Sequence, residues 1–155
     1  MFRWKDRLSR SITATNERSR MWEHFAHQAD IGIRGIGATL EEAFAEAAYA
    51  LMAVMCKPET VRPAEAVSVR AAMDDRELLL IEWLNQILYE SDTRKMFFSR
   101  FEVKIEGNQL TGVLRGERMD PARHEPGVEV KAATYQMLRV AFEQGRWIAQ
   151  CVVDV

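Results

Sequence analysis

The segment Asp30-Ile-Gly-Ile-Arg-Gly-Ile-Gly37, followed at once by Ala38-Thr-Leu-Glu-Glu-Ala-Phe, is the strongest local constraint in this chain. Ile31, Ile33 and Gly35 alternate with Gly32, Arg34 and Ile36, a period of two that reads as a strand. Glycine is disfavoured in strands, so Gly32 and Gly35 mark a bulge or a neighbour that comes close to the backbone. Thr39 and Glu42 then form a capping box, in which a hydroxyl and a carboxylate satisfy free N–H groups at a helix start. Leu40, Phe44, Ala47, Ala48, Leu51, Met52 and Met55 supply an apolar stripe at helical spacing, which predicts a helix over about 40–55.

Further along, Ala66 to Ala71 alternates as a strand. Asp74 and Glu77 repeat the capping pattern before a second predicted helix, about 75–92, with Leu80, Trp83, Leu84, Ile87 and Leu88 on one face. Met96–Glu106, a Gly107-Asn108 turn and Gln109–Arg118 read as a hairpin, although Asn-Gly is the commoner order in such turns. Pro121 to Gly127 is a loop, and Val128 to Phe142 reads as mainly extended. Gln144-Gly145 turns the chain into a last strand over 147–155. The expectation is an α/β (α+β) fold: two layers, a mixed sheet of roughly six strands, and two main helices packed on one face.

Charge is distributed unevenly. Residues 1–20 hold six Lys/Arg and two Asp/Glu, a net of +4, while residues 21–155 hold 15 basic and 21 acidic residues, a net of −6. An acidic body is a poor autonomous binder of phosphate backbones and better suited to a protein partner or a cation. In the basic stretch, Trp4, Leu8 and Ile12 fall at helical spacing, as in an arm that touches RNA or membrane. The plainer reading is a disordered tail or a misassigned start, with Met21 as the natural first residue. The expected division is therefore an N-terminal extension, 1–20, and one domain, 21–155. Two distant cysteines, Cys56 and Cys151, give no disulfide framework or C-x-x-C motif and suit a reducing cytoplasm. No apolar run has the length of a membrane span.

The familiar catalytic templates are absent: there is no Walker lysine loop, H-E-x-x-H or G-x-S-x-G. Gly32, Gly35 and Gly37 only loosely resemble a dinucleotide fingerprint. His24, His27 and Asp30 are spaced H-x-x-H-x-x-D, which on a helix would offer a zinc face. In an extended segment, residues three apart point to opposite faces, so a histidine that packs or orients a neighbour is the stronger reading. Asp30 at the lip of one strand and Asp154 at the end of another stand out, because carboxylates are uncommon in core strands unless paired or liganded. A solvated strand end and a turn aspartate are the plain alternative. If the strands meet, Asp30, Asp154 and the terminal carboxylate of Val155 converge. They would then need a counter-charge, for which a hard divalent cation suits oxygen donors. Lys131, inside an apolar strand, could neutralise a carboxylate or simply be exposed. His124-Glu125 sits in a loop of the kind that often carries function.

Three stretches together resemble the archease family: FAHQADIGIRGIGATLEEAFAEAAYAL, GVEVKAATYQMLRV and the closing WIAQCVVDV. The likeness covers residues 21–155. It implies a small α/β protein that is not itself an enzyme but a cofactor of the RtcB-type RNA ligase, acting in tRNA splicing or RNA repair. The ligase uses GTP and manganese to form a guanylylated histidine, and the resemblance implies that this chain would speed that step and support multiple turnover. It further implies a cation, calcium first with magnesium or manganese as alternatives, at Asp30, Asp154 and Val155. His27 and Lys131 would lie near the site. RNA would be met only indirectly, and the chain would be cytoplasmic, a monomer or weak homo-oligomer. Gln28 and Gln136 depart from the Thr and His usual at those places, which bears on hydrogen bonds around the site more than on the cation ligands. The competing class is a chaperone-like adaptor for RNA-processing enzymes, with a purely structural cation.

Overall fold

The computed structural model describes residues 21–155; the basic extension, and the helical spacing read in it, lie outside the described residues. The elements are β1 (Trp22–His27), β2 (Asp30–Gly37), α1 (Leu40–Met55), a short 3-10 turn (Pro58–Thr60), β3 (Glu65–Ala72), α2 (Arg76–Arg94), β4 (Met96–Glu106), β5 (Gln109–Arg118), α3 (Pro121–His124), β6 (Ala132–Ala133), β7 (Arg139–Glu143) and β8 (Arg146–Asp154).

The α+β class stands, but the strands form two antiparallel sheets rather than one mixed sheet of about six. One sheet runs β1-β2-β8-β6, with β7 also on β8; the other runs β3-β5-β4. Helix α1 packs on β1, β2 and β8 of the first sheet and on β4 of the second, and α2 packs on β3, β4 and β5 and along β6, β7 and β8. The long crossover through α1 delivers β3 to a different sheet instead of beside β2. Strand counting along a sequence does not reveal such a pairing choice. The stretch 128–142 is not one strand either. Thr134 N–H bonds to Val152 O and Val152 N–H to Gln136 O, and Met137 takes a φ of 54°, so the edge strand bulges between β6 and β7.

Local chemistry explains the elements. Thr39 Oγ1 accepts from Glu42 N–H (3.1 Å), and Glu42 Oε1 accepts from Ala38 N–H (3.0 Å), completing the capping box of α1. The cap of α2 is Asp75 rather than Asp74: its Oδ1 accepts from Glu77 N–H (2.6 Å) and Leu78 N–H (3.2 Å). The hairpin spans the expected residues. Gly107 sits at φ 59° and Asn108 is not in the left-handed region, which is the turn that places glycine first. Gly35 is where backbones meet. A Cβ there would lie 2.2 Å from both Ala43 O and Ala47 N of α1, so the close neighbour implied by the sequence is the helix itself. The two helices are tied together by Trp83, whose indole N–H donates to Phe44 O (3.0 Å). Fully buried Ile31, Ile33, Cys151 and Val153 fill the inner face of β2 and β8.

A polar cluster pins the loop after β5. Glu117 Oε2 accepts from Arg123 Nη1 (2.8 Å), Arg62 N–H (2.9 Å) and His124 Nε2 (2.9 Å), and His124 Nδ1 accepts from Asp120 N–H (2.9 Å). His124 is fully buried, with its ring edge against Phe97. The loop histidine is thus a structural anchor. The Arg123 guanidinium, helped by the Arg62 amide and His124, holds the Glu117 carboxyl well below the usual carboxylate range, against the opposing effect of burial.

Two outcomes are expected. Gly35→Ala drives a methyl into helix backbone and should cost about 3 kcal/mol, at the upper end for overpacking. A melting curve should show this as a fall in Tm of about 6–12 °C. Glu117 has a depressed folded-state pKa, so its contribution is present above the ordinary value of 4.5 and is lost as pH falls through the lower folded-state value. Melts from pH 7 down to pH 3 should therefore lose Tm more steeply below pH 4.5 in the parent chain than in Glu117→Gln.

Candidate acidic site at the tip of β2 and β8

The β1–β2 hairpin turns at Gln28-Ala29, with His27 paired to Asp30 and Gln28 at φ 54°. Strand β8 runs antiparallel beside β2, with Ile31 opposite Val153, Gly32 opposite Val152 and Ile33 opposite Cys151. The pairing ends at Ile31 and Val153, and Asp30 and Asp154 are the next residue on each strand, so continuing the register sets them opposite each other. Directly opposed residues of antiparallel strands share a face, with Cβ atoms about 5 Å apart. On the other side of Asp154 lies Ala132 of β6, and Lys131 N–H donates to Asp154 O (2.8 Å). His27, Asp30, Asp154 and Ala132 therefore form one row across four strands.

The side chains differ in surroundings. Asp154 and Lys131 are exposed, and His27, Asp30 and Val155 are half-buried. Neither Asp30 nor Asp154 makes a side-chain hydrogen bond or ion pair among the described residues. Arg34, on their face, is committed to Glu23 and to Gln150 Oε1 (2.8 Å), while its guanidinium lies over Phe25. His27 Nδ1 is buried with no hydrogen-bond partner among the described residues. Lys131 makes no ion pair there. Strand alternation turns its side chain to the opposite face from Asp154, where it lines a cavity of about 770 Å³ with Asn85, Leu88, Tyr89 and Val130. It is thus a neighbour of the acidic pair through its backbone rather than its counter-charge.

His24 is separate from all of these. It is buried on the inner face, its Nε2 2.7 Å from Ala50 O. The H-x-x-H-x-x-D spacing does not converge, and no three His, Cys, Asp or Glu side chains among the described residues gather into a cation cage. What remains at the tip is oxygen chemistry: two carboxylates and an oxygen of Val155, a donor set that fits a hard cation such as Ca²⁺ better than zinc. An ion there would rely on Val155 as well as the two aspartates.

Three features of the site surroundings were not legible in the sequence. Asn85 of α2 accepts from Ala133 N–H (2.9 Å) and fixes the short β6 beside Asp154. Glu77 Oε2 accepts from Val140 N–H (3.2 Å) and blunts the open edge of β7. The bulge throws Tyr135 (70% exposed) and Met137 (52%) outward beside the tip. In an unbroken strand, alternation would have put Gln136 on the face opposite both. The positive φ of Met137 is the feature that breaks the pattern, and no residue type announces it.

The chain is similar to known proteins in sequence and fold. The Archease protein family (MTH1598/TM1083) matches residues 22–155. Protein archease of Pyrococcus furiosus is 42% identical over 141 residues, covering 88% of this chain and 99% of that protein. Its counterpart in Methanopyrus kandleri is 41% identical over 138 residues, covering 86% and 99%. Among solved structures, the solution structure of Methanobacterium thermoautotrophicum protein 1598 has a TM-score of 0.76 at 34% identity, covering 88% of this chain and 99% of that one. The crystal structure of a Thermotoga maritima archease, described as a possible chaperone, has a TM-score of 0.60 at 23% identity, covering 84% and 94%, and supports the fold alone. The chain belongs to the archease family.

Proposed function

We propose that this chain is a protein activator of an RtcB-type RNA ligase. It would promote GTP-dependent guanylylation of the ligase and its multiple turnover in tRNA splicing or RNA repair, without being an enzyme itself. The observation that carries this reading is the register that sets Asp30 beside Asp154 at an exposed tip with no counter-charge from the described chain. Two adjacent anions at a protruding end are poised for a basic cleft on a partner, and the net charge of −6 over residues 21–155 supplies a complementary field for docking on an RNA-binding enzyme. Tyr135 and Met137 beside the tip offer the apolar contact that anchors an interface. Asp30, Asp154 and Val155 would hold a divalent cation, calcium by donor chemistry with magnesium or manganese as alternatives, whose charge would offset the repulsion between the carboxylates. His27 would orient Asp30 across the hairpin pair. GTP and manganese belong to the ligase.

A second reading is a chaperone-like adaptor with a purely structural cation. It is favoured by the exposed apolar side chains Tyr89, Tyr135, Met137 and Phe142 and agrees with the description given to the Thermotoga relative.

Single-turnover guanylylation of a cognate RtcB-type ligase, with GTP and Mn²⁺, separates the two. The activator reading expects a faster step with this chain, and loss of most of that acceleration in Asp154→Ala and in Asp30→Ala, each with a Tm close to the parent. Full stimulation by a folded double variant would sink it. Chelation gives an independent check. A structural ion should lower Tm strongly when removed, whereas a working ion at the tip should leave Tm nearly unchanged.

A further inference from the structure

We propose that Asn85 is a positioning residue of the acidic tip. Acting through β6, it holds the end of β8, and with it Asp154, in the geometry the tip works in. The consequence for the ligase rests on the activator reading above; the positioning itself does not. Asp154 is the last residue of β8 and lies beyond the stretch paired with β2, which ends at Ile31 and Val153. Its strand partner is Ala132 of β6, and Lys131 N–H donates to Asp154 O (2.8 Å). The end of β8 is therefore located from the β6 side. Strand β6 is only two residues, Ala132–Ala133, shorter than strands that hold by themselves. On the β8 side, Thr134 anchors it, with N–H and Oγ1 both donating to Val152 O (3.0 and 2.8 Å). On the other side, the N–H of buried Ala133 donates to Asn85 Oδ1 (2.9 Å). Among the described residues, this is the side-chain hydrogen bond that reaches β6.

The placement of Asn85 suits this role. It sits midway along α2 among buried Trp83, Leu84, Ile87 and Leu88, and Trp83 in turn is bonded to Phe44 O of α1. An acceptor on a packed helix fixes its partner more precisely than one on a loop. Asn85 is half-buried and lines the 770 Å³ cavity beside Lys131 and Ala132. Its side-chain nitrogen has no hydrogen-bond partner among the described residues, so the oxygen is the atom the fold uses. Removing that oxygen leaves the buried Ala133 N–H unpaired, at the full cost of its desolvation. Strand β6 then opens locally while the helices and the core stay packed. With β6 loosened, the Asp154 carboxylate is no longer held opposite Asp30, and the two anions cease to act as one site.

The experiment compares the full parent chain with Asn85→Ala, which deletes the acceptor, and Asn85→Asp, which keeps an oxygen in its place. Amide hydrogen exchange followed by NMR reads the positioning with no ligase present. In Asn85→Ala, exchange should be about tenfold faster at Lys131 and Ala133, the factor for one lost hydrogen bond, and unchanged at Ile33 and Cys151. Asn85→Asp should stay near the parent. Guanylylation of the cognate ligase reads the consequence: Asn85→Ala should lose most of the stimulation, and Asn85→Asp should recover it. Unchanged exchange at Lys131 in Asn85→Ala would overturn the proposal. Faster exchange throughout the core would also overturn it, by making Asn85 a general stabiliser of the fold. Nor would it survive full stimulation by Asn85→Ala. A parent chain that fails to stimulate the ligase counts against the activator reading, and exchange at Lys131 still decides the positioning.

Discussion

The contact that organises this molecule is the backbone of β2 lying directly against the backbone of α1 at Gly35. Without a side chain between them, helix and strand approach more closely than side-chain packing normally permits. The height of α1 over the sheet then fixes what fits beside it: Ala43 and Ala47 above Gly35, and Ile33 with Cys151 in the next layer, all fully buried. Strand β8 is held to β2 by that inner face. A slip of one residue would turn Cys151 and Val153 to solvent and bring Gln150 and Asp154 inward, so burial of the core specifies the register strongly. That same register sets Asp154 opposite Asp30. The site is thus a consequence of core packing at the other end of the same strands, and it needs no special local interaction to assemble.

This explains which parts of the structure were legible in the sequence. The helix over 40–55, its capping box and the glycine close approach were readable because each is a local pattern with a local cause. The hairpin over 96–118 was readable for the same reason, and its Gly-Asn order became intelligible once Gly107 was seen to take the first turn position. The convergence of Asp30 and Asp154 was approachable because charged residues at strand ends are conspicuous, although only pairing could join them. Sheet membership was not legible: nothing in Glu65–Ala72 distinguishes a strand beside β2 from one beside β5. The division of 128–142 into two short strands was also hidden, since it depends on the bulge between Val152 and Gln136. The Glu117–His124 anchor joins residues that look like an ordinary acidic strand end and a polar loop.

The tip has a division of labour. Hydrophobic burial fixes Ile31 and Val153, the last apolar pair. Beyond them the strands carry carboxylates into water, beside a bulge that presents Tyr135 and Met137 and a helix residue, Asn85, that steadies β6. Repulsion between the aspartates is tolerated because Asp154 is exposed, and that leaves the pair free to interact with a charge from outside the described chain. In the proposed activator role, the family's shared domain supplies a rigid scaffold and the tip supplies the chemistry.

The central claim is that Asp30 and Asp154 act as a single unit because the β2–β8 register makes them neighbours. A double-mutant cycle on ligase stimulation, with Asp30→Asn, Asp154→Asn and both together, tests this most directly. The account expects strong coupling, with the second substitution adding little to the loss caused by the first. Independent losses that simply add in free energy would contradict it.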